Sequence, residues 1–146
     1  MPNALERGNE ITLGTAEAIR LLEKNEKGFF IMIEGSQIDW AGHNNQADYM
    51  LAEMQDINKV IGLCMDYADA NPGTLVIVTA DHETGGTSVA YKSHPVNDPQ
   101  GLHLSFSTKG HSGTVVPVFA YGAGAEHFAG IFQNRELPGI IEQLIK

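Results

Sequence analysis

Six carboxylate or imidazole side chains occur beside glycine-containing turns, where apolar segments of the chain end. They are Glu34, Asp39, His43, Asp81, His82 and His111. Mixed oxygen and nitrogen donors of this kind suit zinc, and a position that offers only oxygen suits magnesium. Because all six lie at or just beyond the edges of predicted strands, the sequence predicts a site that binds divalent metal ions.

Each motif taken alone has a simpler explanation. Asp39 and His43 are four residues apart, a spacing that puts both on one side of a helix or tight turn. An aspartate that caps a turn, with a surface histidine nearby, is nevertheless the commoner arrangement. An aspartate at the end of a strand, such as Asp81, often does no more than accept hydrogen bonds from backbone N–H groups. It is the combination of all six residues that favours a metal site.

Other reactive side chains have a structural explanation. His94, His103 and His127 are predicted to be surface histidines in polar loops, and Cys64 is predicted to be a small buried hydrophobe on a helix. Two serines lie close to the motifs, but neither stands in the Gly-x-Ser-x-Gly turn of a nucleophile elbow; they are Ser36 and Ser112. No catalytic nucleophile is therefore assigned in this chain.

Two buried strands and a long helix are predicted to position the site. Residues 74–78 and 29–33 are apolar runs without polar alternation, which is typical of strands buried on both faces. Between them, an amphipathic helix is predicted from about residue 45 to residue 71. This order indicates a right-handed βαβ unit with parallel strands. The expected class is α/β, a three-layer α/β/α fold with a mostly parallel central sheet and its ligands beyond the strand ends.

The remaining elements are predicted from local signals. Residues 1–13 are expected to be irregular, a helix is expected to begin at an N-cap on Thr15, and residues 35–42 are expected to form a loop. Pro117 should confine its strand, residues 114–121, to a sheet edge or a bulge. Further predicted elements are a short strand at 87–91, a loop at 92–101, an edge strand at 102–106 and a final helix from about Leu137.

Composition excludes several classes of protein. The 146 residues are enough for one domain with a core, and residues 1–146 are expected to form a single domain. A net charge of −9, from 18 acidic and 9 basic residues, argues against a nucleic-acid partner. No apolar run approaches the roughly 18 residues of a membrane span, and the N-terminal residues are not expected to be a signal peptide. The single cysteine allows no internal disulfide.

Three separate stretches carry a family resemblance. They are IEGSQIDWAGHNN at 33–45, VIVTADHETGG at 76–86 and GHSGTVVPVFAYG at 110–122. In order, spacing and flanking residues they resemble alkaline phosphatase. The resemblance implies an alkaline-phosphatase-like fold, incomplete here, and the C-terminal metal-binding part of a phosphomonoester hydrolase. It also implies two Zn²⁺ ions, one Mg²⁺ ion, transfer through a phosphoserine, a periplasmic or secreted location and a possible homodimer.

The resemblance assigns roles residue by residue. Asp39, His43 and His111 match the ligands of the first zinc. Asp81 and His82 match ligands of the second zinc, and Glu34 matches a magnesium ligand. The family's serine nucleophile and phosphate-binding arginine match no residue of this chain, so the isolated chain is expected to be inactive. Trp40 follows Asp39 near the expected phosphate position, where many relatives have a basic or imidazole side chain.

Two alternatives remain open on the residues alone. The chain could belong to another family with the same metal chemistry, such as a sulfatase, a phosphodiesterase or a phosphoglycerate mutase. It could instead be a non-catalytic zinc-binding module in which the metal only stabilises the fold. An α/β domain whose polar loops bind nothing explains the six residues less well.

Overall fold

The computed structural model describes residues 4–91 and 102–145. The predicted loop at 92–101, with His94, lies outside the described residues. The chain packs as two compact units. Unit 1 contains Met1–Val60 and His82–Thr114, and unit 2 contains Ile61–Asp81 and Val115–Lys146.

The described residues form helices over much of the first half of the chain. The prediction of irregular structure over residues 1–13 is wrong, because Ala4–Arg7 is already helical and the next helix begins at Glu10, directly after Gly8 and Asn9. The helices are α1 (Ala4–Arg7), α2 (Glu10–Leu22), α3 (Gln37–Asn44), α4 (Ala47–Ala70) and α5 (Leu137–Leu144). The long amphipathic helix and the final helix are therefore confirmed.

Thr15 lies inside α2 and does not cap it. Its side chain is buried, and its hydroxyl donates to the carbonyl of Ile11, one turn earlier, at 2.8 Å. The prediction of an N-cap at Thr15 is wrong because a threonine hydroxyl can bond backward to the helix as well as forward from a cap.

A buried cluster of charges attaches α1 to α4. Arg7 contacts Glu53 at 2.6 Å and Asp56 at 3.1 Å, and both carboxylates are almost fully buried. The backbone N–H of Ala4 also donates to Glu53 at 2.6 Å. Because buried carboxylates are stable only when they are paired, this contact fixes the position of the first helix.

The strands that the described residues form pair in three antiparallel ladders. β1 (Leu75–Thr79) pairs with β6 (Val118–Gly122), β2 (Glu83–Thr84) with β5 (His111–Ser112), and β3 (Ser88–Tyr91) with β4 (Leu102–Ser105). The strands predicted around residues 74–78, 87–91 and 102–106 are therefore confirmed. His103 lies half-buried on β4 and not in a surface loop, because it is paired with Ala90 in the β3–β4 ladder.

The predicted βαβ pairing differs from the observed sheet. In residues 29–33 half-buried and exposed side chains alternate, but no strand is assigned there, and β1 pairs with β6 in antiparallel order. A strand exists only where a neighbour exchanges backbone hydrogen bonds with it, and none of the described strands pairs with residues 29–33. The predicted strand at 29–33 is therefore not observed, because an apolar run does not by itself supply a pairing partner.

Pro117 marks the beginning of its strand. β6 begins at Val118, directly after the proline, although the apolar run starts at Thr114. Proline has no N–H to donate to a ladder, which explains the shorter strand. None of the helices formed by the described residues has the length and hydropathy needed to cross a membrane.

Candidate metal centre

Helix α3 presents two of the predicted ligands. The prediction of a loop over residues 35–42 is wrong, because Gln37–Asn44 is helical. Asn45 ends the helix in the left-handed conformation, with φ 54°, and its N–H and that of Gln46 donate to carbonyls in the last turn. Because the spacing of four spans about one turn, Asp39 and His43 face the same side, with Oδ2 and Nε2 3.4 Å apart.

The short β2–β5 ladder brings the other two histidines beside α3. Thr84 lies opposite His111 in the register, and Glu83 lies opposite Ser112. Directly opposed residues project from the same face of a sheet, so Thr84 and His111 share one face and Glu83 and Ser112 share the other. The His82 and His111 rings stack with centroids 3.7 Å apart.

Glu83 holds the turn after β2 and the strand opposite it. Its carboxylate accepts hydrogen bonds from the Thr87 N–H at 2.7 Å, from the Gly86 N–H at 3.1 Å and from the Ser112 hydroxyl. Burial acts to raise the pKa of Glu83, but these hydrogen bonds outweigh it and leave the pKa below its ordinary value. The ionised carboxylate therefore stabilises the ladder that carries His111.

The donor atoms of α3 and β5 converge. Nε2 of His111 lies 3.3 Å from Nε2 of His43 and 3.7 Å from Oδ1 of Asp39. Ligands around a tetrahedral zinc ion are separated by about 3.3 Å, given zinc–nitrogen bonds of about 2.0–2.1 Å. The three side chains are between 36% and 50% exposed, so an ion has access to them from solvent. The donor set and its spacing both fit zinc.

A backbone carbonyl fixes the tautomer of His43. Nδ1 of His43 lies 2.6 Å from the carbonyl oxygen of Lys109. Because a carbonyl only accepts, Nδ1 must carry the proton, and Nε2 keeps the lone pair that a metal ion requires. A metal-binding histidine is held in this way when its other ring nitrogen donates to a carbonyl.

His82 belongs to the same cluster. Asp39, His82 and His111 offer one ligand atom each, and these atoms all lie within 4.8 Å of one another. Sites that hold two metal ions place them about 3.5–4 Å apart, so one cluster of this size can supply ligands to neighbouring ions.

The other predicted site residues are Asp81, Glu34 and Trp40. Asp81 is exposed at the end of unit 2, where its carbonyl accepts a bond from Asn134 Nδ2 at 3.3 Å. Glu34 lies outside the cluster, in the wall of an open cavity of about 320 Å³ that Glu53 and Asp56 also line. Trp40 is 59% exposed on α3, next to Asp39.

Sequence reasoning missed the groups that orient these ligands. They are the hydroxyl of Thr84, the carboxylate of Glu83 and the carbonyl of Lys109. The role of Thr84 could have been suspected from the sequence, because in an extended segment it projects to the same side as His82, two residues earlier. The role of the Lys109 carbonyl could not have been suspected from the sequence, since backbone groups are the same in every residue.

A family model described as alkaline phosphatase matches residues 1–101, well over half of the chain. The chain belongs to the alkaline phosphatase family. The matched range includes Asp39, His43 and His82, whereas His111 lies beyond it.

Alkaline phosphatases of known sequence and structure extend the match to His111. Alkaline phosphatase 3 of Bacillus subtilis (strain 168) is 30% identical, over 94% of this chain and 45% of its own length. The alkaline phosphatase of the Antarctic bacterium TAB5 is 46% identical with a TM-score of 0.91, over 99% of this chain and 43% of its own. A variant of that enzyme with Mg bound in its M3 site is 44% identical, with a TM-score of 0.90, and covers 99% of this chain and 44% of its own.

These matches confirm the predicted alkaline-phosphatase-like fold. They also show that the chain spans less than half the length of each of these relatives.

Proposed function

We propose that this chain supplies the metal-binding part of a phosphomonoester hydrolase of the alkaline phosphatase type. The observation that carries the proposal is the convergence of Asp39, His43 and His111. The Nε2 atoms of the two histidines lie 3.3 Å apart, Oδ2 of Asp39 lies 3.4 Å from Nε2 of His43, and Oδ1 of Asp39 lies 3.7 Å from Nε2 of His111. Family membership supports the choice of phosphate monoesters over sulfate esters or phosphodiesters as substrates. A periplasmic or secreted location and a homodimer remain predictions.

Different residues are proposed to bind different zinc ions. Asp39, His43 and His111 would hold one ion, and His82 would contribute to a second ion together with Asp81. The Lys109 carbonyl keeps Nε2 of His43 unprotonated, and Glu83 holds the β2–β5 ladder in register. When bound, zinc supplies a Lewis acid that lowers the pKa of water and neutralises charge on a phosphoryl group.

Magnesium is proposed at Glu34. The Mg-bound structure of the TAB5 variant supports a magnesium site in this family. Magnesium prefers about six oxygen ligands, of which Glu34 would supply one. The two other carboxylates of the same cavity, Glu53 and Asp56, already pair with Arg7.

The isolated chain is proposed to be inactive. Its serine nearest to the cluster in sequence, Ser112, donates its hydroxyl to Glu83 on the opposite face of the ladder. Two of its arginines are held in ion pairs, Arg7 with Glu53 and Arg20 with Glu17. The resemblance also supports the proposal, because the family's serine nucleophile and phosphate-binding arginine match no residue of this chain.

A chimeric enzyme tests the proposal. This chain would replace the matching 43% of the TAB5 alkaline phosphatase, and hydrolysis of p-nitrophenyl phosphate would be measured with Zn²⁺ and Mg²⁺. We expect an active chimera, a loss of about 100-fold or more on His43→Ala because a metal ligand is removed, and negligible turnover by the 146-residue chain alone.

Two results would contradict the proposal. One is a folded, zinc-loaded chimera that does not hydrolyse the ester. The other is turnover by the isolated chain at the rate of the parent enzyme. His127→Ala is the matched control, because this histidine is exposed and lies on a short turn of unit 2.

A further inference from the structure

Thr84 is a buried hydroxyl between two of the proposed ligands. It is 8% exposed, on the face of β2 that also carries His111 across the ladder. Its Oγ1 lies 2.5 Å from Oδ1 of Asp39 and 3.2 Å from Nδ1 of His82. One side chain thus contacts a ligand from α3 and a ligand from the segment that precedes β2.

The protons in this chain of contacts can be placed by elimination. An ionised carboxylate only accepts hydrogen bonds, so the short contact with Asp39 requires the single hydroxyl proton of Thr84. The Thr84 oxygen can then only accept from His82, and Nδ1 of His82 must be the protonated nitrogen. The order of donation is His82 Nδ1–H to Thr84 Oγ1, and Thr84 Oγ1–H to Asp39 Oδ1.

We propose that Thr84 is a positioning residue that sets the tautomer of His82 and the orientation of the Asp39 carboxylate for metal binding. The inference rests on the proposed metal centre. Protonation of Nδ1 leaves Nε2 of His82 with the lone pair that a metal ion needs. The bond to Oδ1 of Asp39 leaves Oδ2 facing His43, 3.4 Å away.

This role differs from that of Glu83. Glu83 acts on the backbone of the turn and on Ser112, on the opposite face of the ladder. Thr84 contacts the ligand side chains themselves. Removal of its hydroxyl should therefore change the ligands while the ladder remains in place.

Three variants of the 146-residue chain separate these effects. Thr84→Val removes the hydroxyl with little change in volume, and Thr84→Ser restores it. Thr12→Val is the matched control, because Thr12 lies in the same unit and its buried hydroxyl has no hydrogen-bond partner among the described residues. Circular dichroism of each metal-free protein establishes that it is folded.

The first measurement is the protonated nitrogen of His82 in metal-free protein. Long-range ¹H–¹⁵N correlation spectra at about pH 8, where imidazole is neutral, would identify it, with assignment by His82→Asn. We expect the Nδ1–H tautomer in the wild type, Thr84→Ser and Thr12→Val, and a mixture of tautomers in Thr84→Val. Wild-type protein with the Nε2–H tautomer would overturn the inference.

The second measurement is the affinity for Co²⁺, a spectroscopic substitute for zinc, followed by its visible absorption. Loss of a group that orients ligands costs about 10- to 100-fold in metal affinity. We expect that loss in Thr84→Val, with recovery in Thr84→Ser. Equal affinity and equal spectra in Thr84→Val and Thr12→Val would overturn the inference. If neither the wild type nor any variant binds Co²⁺, the proposed metal centre is contradicted. The tautomer of His82 then still tests the role of Thr84.

Discussion

At the scale of single residues, the centre depends on small groups that fix where protons lie. The Lys109 carbonyl determines the tautomer of His43, and three hydrogen bonds keep Glu83 ionised. The ligand residues were predicted because carboxylate and imidazole side chains can be recognised directly in a sequence motif. The sequence did not predict the hydrogen bonds that orient them, since Lys109 meets His43, and Ser112 meets Glu83, only in the folded chain.

Glu83→Gln tests the role of this half-buried carboxylate in stability. The amide keeps one acceptor oxygen and replaces the other with a donor, so at least one hydrogen bond is lost, at a cost of about 1–3 kcal/mol in the free energy of unfolding. Urea denaturation would measure this loss in the free energy of unfolding. Glu126→Gln is the control, because the Glu126 side chain is 78% exposed.

The same variant has a predicted pH dependence. Because the folded-state pKa of Glu83 is lowered, its stabilisation is fully present above the unfolded-state pKa, and it is lost as pH falls through the folded-state value. The difference between wild type and Glu83→Gln should therefore narrow at acidic pH. A difference that is constant from neutral to acidic pH would refute the role assigned to the ionised carboxylate.

At the scale of elements, the close approach of α3 to β2 brings the ligands together. Gly42, on the helix that carries Asp39 and His43, has no side chain to separate it from Thr84. A Cβ at Gly42 would lie 2.9 Å from the Thr84 carbonyl oxygen and 3.0 Å from the Thr84 Cβ. The glycine is needed there because a backbone carbonyl cannot move aside without displacing the strand.

Gly42→Ala should therefore push α3 away from β2. We expect a loss of about 1–3 kcal/mol in stability from overpacking and at least about a 10-fold loss in zinc affinity, by analogy with other changes that disturb ligand orientation. Thermal unfolding and zinc titration would measure these effects.

Gly62→Ala is the matched control for that experiment. Gly62 lies in α4, and a Cβ there would meet nothing within 4 Å. Alanine in a helix is favoured over glycine by about 0.5–1 kcal/mol, so this variant should be as stable as the wild type or more so. Similar behaviour of the two alanine variants would show that α3 does not need its close approach to β2.

The elements also show why sequence prediction succeeded in some places and failed in others. α4 and β1 were predicted because long periodic or apolar runs determine them locally. α3 was missed because only eight residues form it, with two polar residues at its end, and its close approach to β2 cannot be seen in the sequence. Pairing was missed because an apolar strand does not encode the identity of its neighbour.

At the scale of the whole molecule, apolar side chains remain exposed where the sequence predicts burial. Phe30 is 63% exposed and Met32 is 72% exposed, in a segment with which no described strand pairs. On β6, Phe119 is also 63% exposed. Exposed apolar surface on a soluble protein commonly marks an interaction surface. The chain also spans less than half of the length of the relatives that it matches.

Calorimetric titration of the 146-residue chain with Zn²⁺ tests the central claim most directly. We predict about one tight zinc ion per chain, lost on His43→Ala or His111→Ala and unchanged on His127→Ala, because Asp39, His43 and His111 supply three converging ligands to one ion, whereas only His82 and Asp81 are proposed for the other. Two tight equivalents would contradict this account of the ligands. Absence of tight binding, or equal binding by His43→Ala and His127→Ala, would contradict the proposed metal centre itself.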